Sequence, residues 1–198
     1  QGDLPPARDE LLHRVRGADG ILCLLTERMD SEVMDAAGPQ LKVISNFAVG
    51  FDNIDVNAAT ARHIPIGNTP NALTDATADF AFALMMSAGR RILEGDRYVH
   101  DGKWKTWHPK LFLGTEMKGS TLGIVGFGRI GKAMARRAQG FEMRVIYYDP
   151  TEEHDPAYNA ESVDFDTLLR ESDFISLHTP LTPATRLVIN FQARSKMK

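Results

Sequence analysis

An α/β protein with parallel sheets is predicted by three features of this 198-residue sequence. Short apolar runs alternate with helical patterns along residues 5–68. A long apolar helix then interrupts the rhythm. After it, GIVGFGRIGKAMARR (123–137) joins an apolar strand to a basic amphipathic helix through Gly126, Gly128 and Gly131. Alternation of this kind builds parallel sheets with helices on their faces, because every parallel connection needs a crossover.

The elements follow in order. PPARDELLHRV (5–15) opens on two prolines and sets Leu11, Leu12 and Val15 on one helical face, with Gly17 as its stop. GILCLL (20–25) is a continuous apolar run, suited to a strand covered on both faces. SEVMDAAG (31–38) reads as a short helix with Ser31 as cap and Gly38-Pro39 as its end. LKVISNFAV (41–49) is the next strand, VNAATARHI (56–64) a helix capped by Asp55, and IPIGN (64–68) a third strand. Turn residues 68–71 lead into one long helix capped near Thr74 or Asp75. Its section 80–86 is apolar all round, so burial on every side is expected, as in a connection between two domains. HDGKWKTWHPKLFLGTEMKGS (100–120) is an irregular, aromatic excursion. The second α/β unit begins at Thr121.

Composition narrows the function. Hydrophobic residues make up 43% and charged residues 25%, close to the globular average. A net charge of −3 gives no reason to expect nucleic acid as a partner. Cys23, the only cysteine, lies in an apolar run, so it reads as an inert core thiol without a disulfide or thiolate metal cluster. The longest apolar run falls far short of a membrane span. No signal peptide is visible, although Gln1 is not a natural start, and the reducing cytoplasm is the expected compartment.

G-x-G-x-x-G alone is a weak signal; here its context is specific. TLGIV precedes it, and Ile130, Ala133, Met134, Ala138 and Phe141 line one face of the helix that follows. MRVIYYD then ends in Asp149, near the offset of ~20 residues expected of a dinucleotide fold. Gly126 allows the tight turn, Gly128 lets a pyrophosphate approach, and Gly131 lets helix pack on strand. Free N–H groups at the helix start suit the phosphates. Asp149 can accept from ribose hydroxyls and would repel a 2′-phosphate, so NAD (NADH) is expected over NADP. The plainer alternative for Asp149 is a strand-end turn residue beside Pro150.

Four segments together carry a family resemblance: VGFDNIDV (49–56), NTPNALTDATADFAFALMMSAGRR (68–91), GSTLGIVGFGRIGKAMARRAQGF (119–141) and SDFISLHTPLTPATRLVIN (172–190). With them the chain resembles the D-isomer-specific 2-hydroxyacid dehydrogenases, most nearly the glyoxylate/hydroxypyruvate reductases. The resemblance implies two Rossmann-like, doubly wound parallel-sheet domains, both incomplete in this chain. Residues 1–73 would be part of a flavodoxin-like substrate domain, and 74–198 the first part of an NAD-binding domain. It implies NADH-dependent reduction of glyoxylate or hydroxypyruvate to the D-2-hydroxy acid. Val49 and Gly50 would offer backbone N–H groups to the substrate carboxylate. Val49 also argues against phosphite, since the related phosphonate dehydrogenases carry Lys there.

Residue by residue, the same resemblance puts Arg129 and Ile130 on the pyrophosphate, and Thr179, Pro180 and Thr185 on the adenine and ribose side. Arg129 has the alternative of a solvated helix-face charge. Thr77 matches a position near the nicotinamide, or simply caps its helix. Trp104 and Trp107 belong either to a dimerisation arm, in keeping with the homodimer the family implies, or to a surface loop. His178 is not the family's catalytic histidine, and His13, His63, His100, His108 and His154 read as surface or packing residues. The catalytic Arg, Glu and His are expected beyond Lys198, and the front of the family's first domain is expected before residue 1. Alternatives are a phosphoglycerate- or 2-ketogluconate-type dehydrogenase and an NAD-sensing, corepressor-like binding protein.

Overall fold

The computed structural model describes residues 4–151 and 156–198. His154 lies outside the described residues. The chain divides into two compact units: one up to Leu73 together with Pro180–Thr182, the other Thr74–Thr179 together with Pro183–Lys198.

In the first unit the chain runs α1 (Arg8–Arg14), β1 (Gly20–Cys23), α2 (Ser31–Ala37), β2 (Val43–Asn46), α3 (Val56–Ala61) and β3 (Ile66–Gly67). The three strands are parallel in the order β1-β2-β3, with Ile44 opposite Ile21 on one side and Ile66 on the other. Leu11, Val33, Met34 and Ala59 from the helices close over Cys23 and Ile44 as a single core. The expectation of strands covered on both faces does not hold. Successive strand side chains point to opposite faces, and Leu22, beside buried Cys23, is 75% exposed. The strands are also shorter than the apolar runs, so Leu24, Leu25 and Val49 fall in the loops beyond them.

Asp55 caps α3 as expected, accepting from the N–H of Ala58 at 2.8 Å. The cap of α2 is Asp30, not Ser31. The Asp30 carboxylate accepts from the N–H of Val33 at 3.3 Å and is held from outside by Arg8 at 2.6 Å. Ser31 is thereby the first helical residue.

The second unit runs α4 (Thr74–Gly89), α5 (Ile92–His100), β4 (Thr121–Val125), α6 (Arg129–Gln139), β5 (Arg144–Tyr148), a 3-10 turn (Pro156–Tyr158), β6 (Ala160–Ser162), α7 (Phe165–Glu171), β7 (Phe174–Leu177) and α8 (Phe191–Arg194). Its sheet is parallel throughout, in the order β6-β5-β4-β7. All five residues of β4 are buried, as befits the central strand.

The long helix expected from Thr74 or Asp75 is α4, and a second helix, α5, follows past Arg91, which adopts the left-handed conformation at φ 54°. The apolar section of α4 is not buried on every side. Ala78 and Phe82 are buried, whereas Phe80 is 66% and Leu84 54% exposed. The buried face meets α6: Arg137 reaches Asp79 at 2.7 Å and Asp75 at 3.3 Å. Phe82 packs on Phe141 with ring centroids 5.0 Å apart. Phe141 itself lies just past the end of α6 rather than on its face, since the helix stops at Gln139. Ala133, Met134 and Ala138 are buried on that face. Among the described residues no helix is long and apolar enough to cross a membrane.

Candidate functional site

Chain reversal in the second sheet places the site. From β4 the chain moves outward through β5 and β6, then returns to lay β7 on the opposite side of β4. In open parallel sheets such a reversal leaves a crevice beyond the carboxyl ends of the strands, where ligands bind. The residues immediately past three strand ends are Gly126 after β4, Asp149 after β5, and His178 and Thr179 after β7.

The three glycines differ in what surrounds them. Gly126 turns at φ +91°, and a Cβ there would lie 2.7 Å from the carbonyl oxygen of His178 and 2.9 Å from Cγ2 of Thr179. This glycine is needed for the turn, and Thr179 lies directly against it. A Cβ on Gly131 would stand 2.3 Å from the carbonyl oxygen of Gly126, so only glycine lets α6 start this close to β4. Gly128 is different. Its φ is −70°, a value open to any residue, and a Cβ there would meet nothing within 4 Å. The protein itself makes no use of the missing side chain. The open space lies at the N-terminus of α6, with Gly128 as the N-cap and no acidic residue in the first turn to oppose an anion. This is the fit that a dinucleotide pyrophosphate requires.

Arg129 is exposed beside this opening and has no ion-pair partner among the described residues. Ile130 is partly buried against the core, so only its backbone faces the same way as the helix start. Asp149 does more than end a strand. One carboxylate oxygen accepts from the N–H of Phe127 at 2.8 Å, and the other from the N–H and hydroxyl of Thr151 at 2.9 and 2.8 Å. It therefore ties the exit of β5 to the loop between the first two glycines. Phe127 anchors that loop from the inside, its ring stacked on Tyr147 at 3.9 Å and 13°. The sequence reading passed over Phe127, whose only signal was an aromatic residue within the glycine motif.

The remaining residues of the sequence reading are more scattered. Thr77 is the fourth residue of α4, exposed and past the capping position. Thr185 sits in a turn after β7, where its carbonyl accepts from the N–H of Val188 at 3.1 Å. Pro180 is grouped with the first unit. His178 has Ser176 Oγ 2.8 Å from its Nε2, and burial pushes its pKa down, which keeps the ring neutral. Among the described residues no group of three His, Cys, Asp or Glu side chains is placed to hold a metal.

Val49 and Gly50 follow β2 in the first unit. The carbonyl of Gly50 accepts from Nδ2 of Asn46 at 2.7 Å, and Asn46 is completely buried. Asn53 completes this support, donating to the carbonyls of Leu24 at 3.0 Å and Glu27 at 3.1 Å while accepting from Asn46 at 3.1 Å. The Cys23 thiol lies 3.3 Å from Asn46 Oδ1, and burial pushes its pKa up, so it stays protonated. These two asparagines were not singled out from the sequence. A polar residue inside the apolar run VISNFAV was the available signal.

Residues 82–198 match the profile of the D-isomer specific 2-hydroxyacid dehydrogenase, NAD binding domain. A glyoxylate reductase of Thermococcus litoralis is 52% identical over 98% of this chain and 60% of its own. A crystal structure of a Thermus thermophilus protein superposes with a TM-score of 0.92 at 46% identity, covering 98% of this chain and 61% of that one. A D-lactate dehydrogenase of Aquifex aeolicus, solved with NAD and lactic acid, gives 0.86 at 28% identity over 99% and 56% of the two chains. The chain thus spans about 60% of the length of the curated relatives it matches. On the profile match and on these likenesses, the chain belongs to the D-isomer-specific 2-hydroxyacid dehydrogenase family.

Proposed function

We propose that these residues form the cofactor-holding and carboxylate-binding part of an enzyme that reduces a small 2-oxo acid, glyoxylate or hydroxypyruvate, to the D-2-hydroxy acid. NADH, when bound, supplies the hydride. The observation that carries this reading is the open space over Gly128 at the start of α6, on a loop that Asp149 holds through the N–H of Phe127. In it the N–H groups of Arg129, Ile130 and Gly131 receive the pyrophosphate, with the Arg129 guanidinium beside it. Asp149 accepts from the ribose hydroxyls and disfavours the 2′-phosphate of NADP. Thr179, Pro180 and Thr185 serve the adenine and ribose side, and Thr77 the nicotinamide. Val49 and Gly50 bind the substrate carboxylate through their amides. The Arg, Glu and His of the proton transfer are not assigned to any residue of this chain. A homodimer working in the cytoplasm completes the proposal.

The name glyoxylate reductase borne by relatives near 50% identity supports glyoxylate as a substrate. The test is a substrate panel on the intact enzyme: glyoxylate, hydroxypyruvate, phosphohydroxypyruvate and 2-ketogluconate, each with NADH and NADPH. The highest kcat/KM is expected for glyoxylate or hydroxypyruvate with NADH. A preference for the phosphorylated or six-carbon acid would refute the substrate assignment.

A further inference from the structure

We infer that Asn68 is a positioning residue for the carboxylate-binding amide of Gly50, acting through the Val49 carbonyl that shares its peptide plane. The inference rests on the reading of Val49 and Gly50 given above. Nδ2 of Asn68 donates to the carbonyl of Val49 at 2.8 Å. The next residue, Thr69, donates its own N–H to the carbonyl of Ala48 at 2.9 Å. No peptide here is cis. In a planar trans peptide the N–H points opposite to the C=O of the preceding residue. The Val49 carbonyl shares its plane with the N–H of Gly50, and the Ala48 carbonyl with that of Val49. Two neighbouring residues thus hold two successive carbonyls and turn two successive N–H groups away from themselves.

Neither of those N–H groups donates to a protein acceptor among the described residues. A pair of successive, outward N–H groups is an anion-binding arrangement. The donor side is itself stiff, because Pro70 restricts Thr69 to extended backbone. Asn46 and Asn68 divide the support of this loop. Asn46 is buried and joined to Asn53, so its loss disturbs folding. Asn68 is exposed and its side chain makes the single bond to Val49, so its loss leaves the fold intact and releases only the peptide it holds.

The test is a ¹H–¹⁵N NMR titration of this 198-residue chain with oxamate, an unreactive carboxylate of 2-oxo acid shape. In the unaltered chain the Val49 and Gly50 amide signals are expected to move. In Asn68→Ala the dissociation constant should rise roughly three- to tenfold, the worth of one net hydrogen bond, with the signals of β1 to β3 in place. Asn68→Ser, which keeps a shorter donor, should fall between. An affinity within about twofold of the unaltered chain in Asn68→Ala overturns the positioning role while leaving the carboxylate reading intact. Still amides in the unaltered chain overturn that reading, and the inference with it. Hydrogen exchange of the unaltered chain gives a check independent of any variant. Fast exchange at Val49 and Gly50 is expected, and protection of either overturns the inference.

Discussion

Gly131→Ala is expected to destabilise the second unit by about 3 kcal/mol and to abolish NADH binding. Gly128→Ala should leave stability within about 1 kcal/mol, yet weaken NADH at least tenfold. In an ordinary helix the first change would be favourable, by up to about 1 kcal/mol, because alanine has the higher helix propensity. Here the new methyl would stand 2.3 Å from the carbonyl oxygen of Gly126, a backbone atom that cannot rotate aside. Relief comes only by lifting α6 from β4, which opens the core around Ala133 and Met134. Overpacking therefore wins over propensity. At Gly128 the balance reverses. There is room within the protein for the methyl, and what it fills is the space proposed for the cofactor. Denaturant unfolding and NADH fluorescence, measured on both variants, separate the two roles. A Gly128→Ala chain that binds NADH normally would remove the pyrophosphate from this loop.

Replacing Asp149 by Asn should collapse the preference for NADH over NADPH by tenfold or more, mainly by weakening NADH. Two effects act together. Unit charges ~4 Å apart interact by roughly 1–4 kcal/mol between bulk water and a protein surface, so the carboxylate is a substantial barrier to a 2′-phosphate. Its removal favours NADPH. The amide group of Asn also donates where the carboxylate accepted. Asp149 receives the N–H of Phe127 on one oxygen and both donors of Thr151 on the other. Asn can serve only one side, and the side facing its NH₂ loses its acceptor. The loop over the cofactor loosens, and NADH suffers along with the lost ribose contact. Parallel titrations with the two cofactors read the ratio. An unchanged ratio would show that Asp149 serves the loop alone.

Much of this was legible in the sequence because it depends on local pattern. The alternation of apolar runs and helical segments foretold parallel sheets. The spacing of Gly126, Gly128 and Gly131 marked the turn between β4 and α6, and Asp55 stood where a cap must stand. Where the reading failed, the deciding interactions were distant. Asp30 rather than Ser31 caps α2 because Arg8, from another helix, fixes the Asp30 carboxylate. The break between α4 and α5 rests on Arg91 in a left-handed conformation that residue type does not announce. Leu22 is apolar among apolar neighbours and was expected to be buried, although the described helices close over the opposite face of the sheet and leave Val43 exposed as well. Phe80 and Leu84 mislead in the same way: apolar composition states a preference for burial without saying whether another surface meets it. Asn46 and Asn68 escaped notice for a related reason. Their worth lies in carbonyls four and nineteen residues away, and no local periodicity encodes such a pairing.

The loop from Gly126 to Gly131 is proposed to hold NAD, with Asp149 as its selector. The most direct test is a calorimetric titration of this chain with NADH and, separately, NADPH. One NADH per chain is expected, with NADPH bound at least tenfold more weakly. A folded chain that takes up neither cofactor, or that binds NADPH as tightly as NADH, would contradict the account.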